Sequence, residues 1–257
     1  MSETTLTLPG GLSSADCTAL CAILDRLGPW TDRPDVPIIA PAMLLGTSEA
    51  ERLGDVLTAP GGQAVVHESQ SFFRRAPLEP GQPIQLTAVI ECRAANRSFE
   101  FLLSEGGREL GGMQTRLRLV APEEMATFKG SAFHPRLAPG ARWVSSLPIS
   151  GEDVAAYVRL AGDANPIHVD HEAARAVGLS GAIVPGMLMI GLAERAFSQG
   201  AGAFMITEMK TRFMAPVVVN TAVRFAVVPR GEGRARLFSV KEDDMIAAIS
   251  DVTFSAR

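Results

Sequence analysis

Two stretches of this 257-residue chain repeat one another at matched spacing, and that repeat constrains the fold more than any other feature. Residues 38–46 read Ile-Ile-Ala-Pro-Ala-Met-Leu-Leu-Gly and residues 183–191 read Ile-Val-Pro-Gly-Met-Leu-Met-Ile-Gly: an apolar pair, a Pro, a small residue, a Met and an apolar run. A second echo follows each, Arg74-Arg75-Ala76-Pro77-Leu78 and Arg212-Phe213-Met214-Ala215-Pro216-Val217, with an Ala-Pro step just before a strand-like segment. Pro41 to Pro77 spans 36 residues and Pro185 to Pro216 spans 31. Repeated spacing carries more weight than either short match, so two related halves are expected. A chain of this length buries one large core or two of about 130 residues each.

The periodicity fills in both halves. In the first, residues 14–27 and 43–53 read as helices with an apolar stripe. Strand-like stretches follow at 63–73, 84–93, 98–104 and 109–120, with Gly106-Gly107 as a hairpin turn. In the second, Asp170 caps a helix over 171–177 that Gly178 ends, and a longer helix runs from Gly186 or Met187 to Phe197. Strands are expected at 205–213, 221–228, 234–241 and 245–254. From Met187 to Ala193 every residue but Gly191 has an apolar side chain, which predicts burial on most sides. The pattern implies an α+β chain of two units, each an antiparallel sheet wrapped around one helix. Pro135, Pro139 and Gly140 break the periodicity, giving a first half at 1–125, a linker at 126–141 and a second half at 142–257.

Composition excludes several classes. With 47% apolar and 20% charged residues the chain is globular rather than disordered. A net charge of −4 provides no basic footprint for nucleic acid, so none is expected as a partner. No apolar run reaches the length of a membrane span and no signal peptide is read at residues 1–9, so no membrane insertion and a cytoplasmic protein are expected. Cys17, Cys21 and Cys92 are too few for a disulfide framework and lack a neighbouring His, so neither a metal nor a cofactor is expected.

The chemistry is concentrated where Asp163, Asn165 and His168 fall within six residues. A carboxylate beside an imidazole exchanges protons with a bound water near neutral pH. The same residue types beside Gly162 and Pro166 also make turns and helix caps, and His168 also suits a hydrogen-bonded interior position. Both readings stand on residue types alone.

The run Leu160-Ala161-Gly162-Asp163-Ala164-Asn165-Pro166-Ile167-His168, followed by Asp170, Ala173 and Ala174, resembles the signature of the MaoC-like, (R)-specific enoyl-CoA hydratases. The resemblance implies a double hotdog fold in which one chain imitates a dimer of single hotdogs. It makes Asp163 and His168 the catalytic pair, Asn165 their support, and the Gly186 N–H in Ile183-Val184-Pro185-Gly186-Met187 the donor to the thioester carbonyl. Many members carry His where this chain has Pro185, which leaves that role to the main chain. The implied reaction is reversible syn hydration of a trans-2-enoyl thioester to the (R)-3-hydroxyacyl thioester. Only the second half holds the acid and imidazole set, so one active site per chain is expected.

Substrate contacts are less constrained. Ile38, Ile39, Met43 and Leu44 are candidates to form an acyl pocket, against the alternative that the first half is a structural partner only. A small-to-medium apolar acyl group is expected, with Arg33 as the place to look if a second carboxylate is bound. Arg74, Arg75, Lys210 and Arg212 are candidates to meet the phosphates of acyl-CoA or an acyl carrier protein, although such side chains are commonly plain solvated charges. A hotdog thioesterase and a nonenzymatic acyl-thioester binder are the competing functions. Assembly as a homodimer is left open.

Overall fold

The computed structural model describes residues 2–31, 34, 36–47, 63–200 and 204–256. Ten strands form one antiparallel sheet: β1 Ser2–Leu8, β2 Ala64–Arg74, β3 Ile84–Arg93, β4 Asn96–Glu105, β5 Arg108–Val120, β6 Arg142–Ser145, β7 Phe204–Phe213, β8 Arg224–Pro229, β9 Arg234–Val240 and β10 Ile246–Ala256. The helices among the described residues are α1 Ser14–Arg26, α2 Pro122–Met125, α3 Gly151–Ala161, α4 His171–Ala176 and α5 Gly186–Ser198. Short 3-10 segments lie at Ala40–Gly46, Pro135–Leu137 and Pro166–His168.

The strand order is β1-β3-β4-β5-β2-β7-β10-β9-β8-β6. Read outward from the middle it is the same sequence twice: β2, β5, β4, β3, β1 on one side and β7, β10, β9, β8, β6 on the other. The duplicated spacing thus has a physical counterpart, a double hotdog whose halves meet where β2 pairs β7, from Ser69↔Arg212 to Phe73↔Glu208. Joining the halves through two central strands removes an exposed edge from each sheet, which would otherwise be open to pairing with another chain.

Helix α5 is the element the second half wraps. Leu188, Ile190 and Leu192 are fully buried, and so, unusually, are Glu194 and Arg195. Burying each large apolar side chain contributes about 1.5–3 kcal/mol, which accounts for a helix with no solvent face. Gly191 lets the first half press onto it, for a Cβ there would stand 2.8 Å from both Ile39 Cδ1 and Leu24 Cδ2. The two charges are matched rather than free. Glu194 Oε2 accepts the Ile38 N–H at 2.8 Å, while Arg195 lies 3.2 Å from Asp25 and donates to the Pro34 carbonyl at 3.3 Å. Burial pushes the Glu194 pKa up, and Arg74 and Arg195 oppose that shift.

Most expected strands fall within a few residues of their positions, because buried residues alternate along them: Ile84, Leu86, Ala88 and Ile90 of β3 all face the core. The expected helix over 43–53 is instead a 3-10 segment through Gly46, and residues 48–53 lie outside the described residues, as does Arg33. Four elements were not read from the sequence: edge strands β1 and β6, the four-residue α2, and α3, which Ser150 caps by accepting the Asp153 N–H. The stretch around residues 131–133 is fastened to the start of β10: Phe133 N–H donates to Asp244 O at 2.7 Å and Ile246 N–H to Ser131 O at 2.8 Å.

Candidate active site

The motif is built by turn and cap chemistry, and what that chemistry leaves over forms the site. Helix α3 ends at Gly162, whose φ of +64° is left-handed backbone that glycine adopts without strain. A Cβ there would stand 2.7 Å from Gly46 Cα, so a first-half glycine packs against the turn that launches Asp163. Asp163 Oδ1 accepts the Asn165 N–H at 3.0 Å, and Asn165 Oδ1 accepts the Ile167 N–H at 3.3 Å to cap the Pro166–His168 turn. Asp170 caps α4 by accepting from Glu172 and Ala173. The cap reading is therefore right for Asn165 and Asp170, and for one oxygen of Asp163.

The other oxygen, Asp163 Oδ2, lies 3.5 Å from His168 Nε2. The Asp163 side chain is 35% exposed and that of His168 only 10%, so the carboxylate stands at the open side of the pair. His168 Nδ1 is 2.8 Å from the Ile183 carbonyl. A carbonyl only accepts, so Nδ1 carries a proton on that side, and Nε2 is the ring nitrogen turned toward Asp163. Ile183 is itself clamped, donating its N–H to Ile167 O at 3.1 Å, and the next residue, Val184, donates to Val217 O at 2.8 Å. The imidazole is thus oriented by backbone from both sides of the motif. Burial, together with the Asp163 charge, pushes the fully buried Tyr157 hydroxyl upward, so it stays protonated beside the pair.

Gly186 is the first residue of α5, with Pro185 before it. The first-turn N–H groups of a helix have no intrahelical acceptor, and the dipole of a 13-residue helix adds partial positive charge there. A Cβ on Gly186 would stand 2.8 Å from Phe213 Cζ and 3.1 Å from His67 Nδ1. His67 was missed by sequence reasoning. Its signal is faint, a lone titratable residue inside a strand-forming run, and nothing local ties it to a motif more than 90 residues away. The ring packs on Phe213 with centroids 4.6 Å apart, and burial pushes its pKa down to about 4, opposed by Gln70 and Ser69 and reinforced by His168.

Residues 138–247 match the family model described as MaoC like domain. Among curated proteins it is 28% identical over 181 residues to the peroxisomal multifunctional enzyme type 2 of Drosophila melanogaster, covering 69% of this chain and 26% of that protein. It is 32% identical over 72 residues to the mitochondrial 3-hydroxyacyl-[acyl-carrier-protein] dehydratase FERN of Solanum lycopersicum, covering 28% of this chain and 44% of that protein. The chain thus spans from about a quarter to under half the length of these curated relatives. The crystal structure of a MaoC-like dehydratase from Phytophthora capsici superposes with a TM-score of 0.71 at 15% identity, covering 99% of this chain and 95% of that one. That likeness establishes the fold over nearly the whole chain.

Around the Asp163–His168 pair the expected substrate contacts divide. Ile38, Ile39, Met43 and Leu44 are all buried in the core, and Ile39 packs against Gly191 of α5. Arg74 is a correction. It is 7% exposed, and its Nη2 donates to the carbonyls of Val36 and Pro37 at 3.1 and 3.3 Å. Its charge faces Glu194, so it is committed to the interior rather than to phosphate. Nor do the basic residues gather at one place. Arg212 lies opposite Ser69 while Arg75 follows β2, six residues further along the strand, a separation of roughly 20 Å. Exposed Arg75 is 3.5 Å from Glu109, and exposed Lys210 is 2.9 Å from Glu208.

Proposed function

We propose that this protein catalyses the reversible hydration of a trans-2-enoyl thioester to the (R)-3-hydroxyacyl thioester. The observation that carries the reading is the His168 geometry: with Nδ1–H held by Ile183 O, Nε2 is turned toward a partly exposed carboxylate. Names of the relatives, an acyl-carrier-protein dehydratase among them, support the same reaction class. A water held between Asp163 and His168 gives one proton to the pair as its oxygen bonds to C3. The pair returns a proton to C2, so two bonds form on the same face and the enzyme is unchanged. Charge that develops on the thioester oxygen is received by the Gly186 N–H at the start of α5. Asn165 acts through the turn it caps, keeping Asp163 and His168 in register.

Acyl-CoA and acyl carrier protein are both retained as carriers, with Lys210, Arg212 and Arg75 as the exposed cations available to a phosphate. Ile38, Ile39, Met43 and Leu44, all members of the buried core, are retained as the apolar wall that an acyl chain would meet on the first-half side. Incubation with crotonyl-CoA followed by mass spectrometry tests the proposal, with gain of one water expected. Asp163→Asn and His168→Ala should each lower kcat by about 10²–10⁴ while the melting temperature is kept. No mass gain across short, medium and branched enoyl-CoAs would reject hydration, and release of free thiol would select a thioesterase instead.

A further inference from the structure

We propose that His67, supplied by the first half, is a positioning residue of the active site: its ring fills the side of Gly186 where a side chain would stand and holds the Gly186 N–H in register with the thioester oxygen. The inference rests on the assignment of Gly186 as the oxyanion donor.

The central strands bring the residue there. The β2–β7 ladder ends at Ser69↔Arg212, and the register of β2 against β5 slips between His67 and Ser69. A bulge of this kind re-aims a side chain out of the regular pleat. Phe213 is the next residue after Arg212, so His67 from one half and Phe213 from the other meet at the open end of the seam, both against Gly186.

Behind the ring is a polar relay that a core built only for packing would not contain. His67 Nε2 lies 3.2 Å from Gln70 Oε1, which also accepts the Thr115 hydroxyl at 2.7 Å. The Gln70 amide nitrogen is used on Ser71 O at 3.3 Å. Gln70 Oε1 is therefore an acceptor for both neighbours, and His67 Nε2 is the nitrogen that carries the proton. Gln70 is fully buried and Thr115 nearly so. Burying such groups costs free energy unless each is paired, and the paired set fixes one ring orientation. The ring that touches Gly186 thus has its plane and tautomer set from β2 and β5. It adds no charge beside His168, since burial keeps it neutral.

A group that positions an oxyanion donor acts on the transition state more than on ground-state binding, so its loss lowers kcat rather than raising KM. The test uses the full-length protein and a butyryl-CoA analogue with the thioester sulfur replaced by methylene and an isotope-labelled carbonyl, read by infrared spectroscopy. On binding to the wild type the carbonyl band should move to lower frequency. In His67→Ala that displacement should be largely lost, and kcat for crotonyl-CoA should fall about tenfold or more with KM within about threefold. Gln70→Ala, which unfastens the ring and leaves it in place, should move both readouts part of the way, and it serves if His67→Ala does not fold. An unchanged band and unchanged kcat in either folded variant would overturn the proposal, as would a band that does not move in the wild type. Hydration by the wild type with a band indifferent to His67 keeps the hydratase reading and rejects this one. A His67-dependent band without any hydration does the reverse.

Discussion

Acid should weaken this fold through His67, by an amount set by its surroundings. Burial holds its pKa at about 4 in the folded protein, against an ordinary 6.5 in the unfolded chain. Between those values the unfolded chain binds a proton that the folded protein refuses. Folding stability contributed by this group is therefore complete above pH 6.5, falls as pH drops toward 4, and falls no further below it. A gap of about 2.5 pH units at about 1.36 kcal/mol each makes the loss of the order of 3 kcal/mol. His67→Gln keeps an amide within reach of Gln70 and has no titration of its own. Urea unfolding of wild type and variant at pH 7, 6, 5 and 4 isolates the effect, because every other titrating group is common to both. Wild type should lose about 3 kcal/mol more than the variant across that range. Parallel losses, with a difference constant to within about 0.5 kcal/mol, would refute the argument that the ring is kept neutral by its burial.

Gly162→Ala should cost about 1–2 kcal/mol from its left-handed backbone alone, with more from the approach of Gly46, and should depress activity through Asp163; thermal unfolding and kcat check both. Arg74→Ala should destabilise by roughly 3 kcal/mol by removing one of the two buried cations that offset the Glu194 charge. It should leave the ratio of kcat/KM for CoA and carrier-protein substrates unchanged. Exposed Arg212→Ala should leave the melting temperature within a few degrees and raise KM if it meets the carrier phosphate, as a substrate titration will show. Asn165→Ala should lose one turn cap at about 1 kcal/mol and reduce kcat less than Asp163→Asn, measured side by side on crotonyl-CoA.

The sequence by itself determined whatever is local. Asp163, Asn165 and His168 are close in the chain, so turn and cap geometry alone is enough to bring the acid to the imidazole. The repeated Pro and Met spacing announced two related units, which the strand order repeats, although the first copy forms a 3-10 segment and the second begins α5. Strands with alternating burial, such as β3, were legible for the same reason. Tertiary structure decided what sits on the seam. Apolar alternation says which face of a strand is buried but not which strand lies beside it, so β2 against β7, and with it His67 and Phe213 against Gly186, could not be read from spacing. Arg74 was misread for a related reason: a charge is exposed by default, and only the packed carbonyls of Val36 and Pro37, with Glu194 from α5, make an interior place for it. Contacts between residues a hundred positions apart depend on how two sheets join, and no local pattern in the chain encodes that junction.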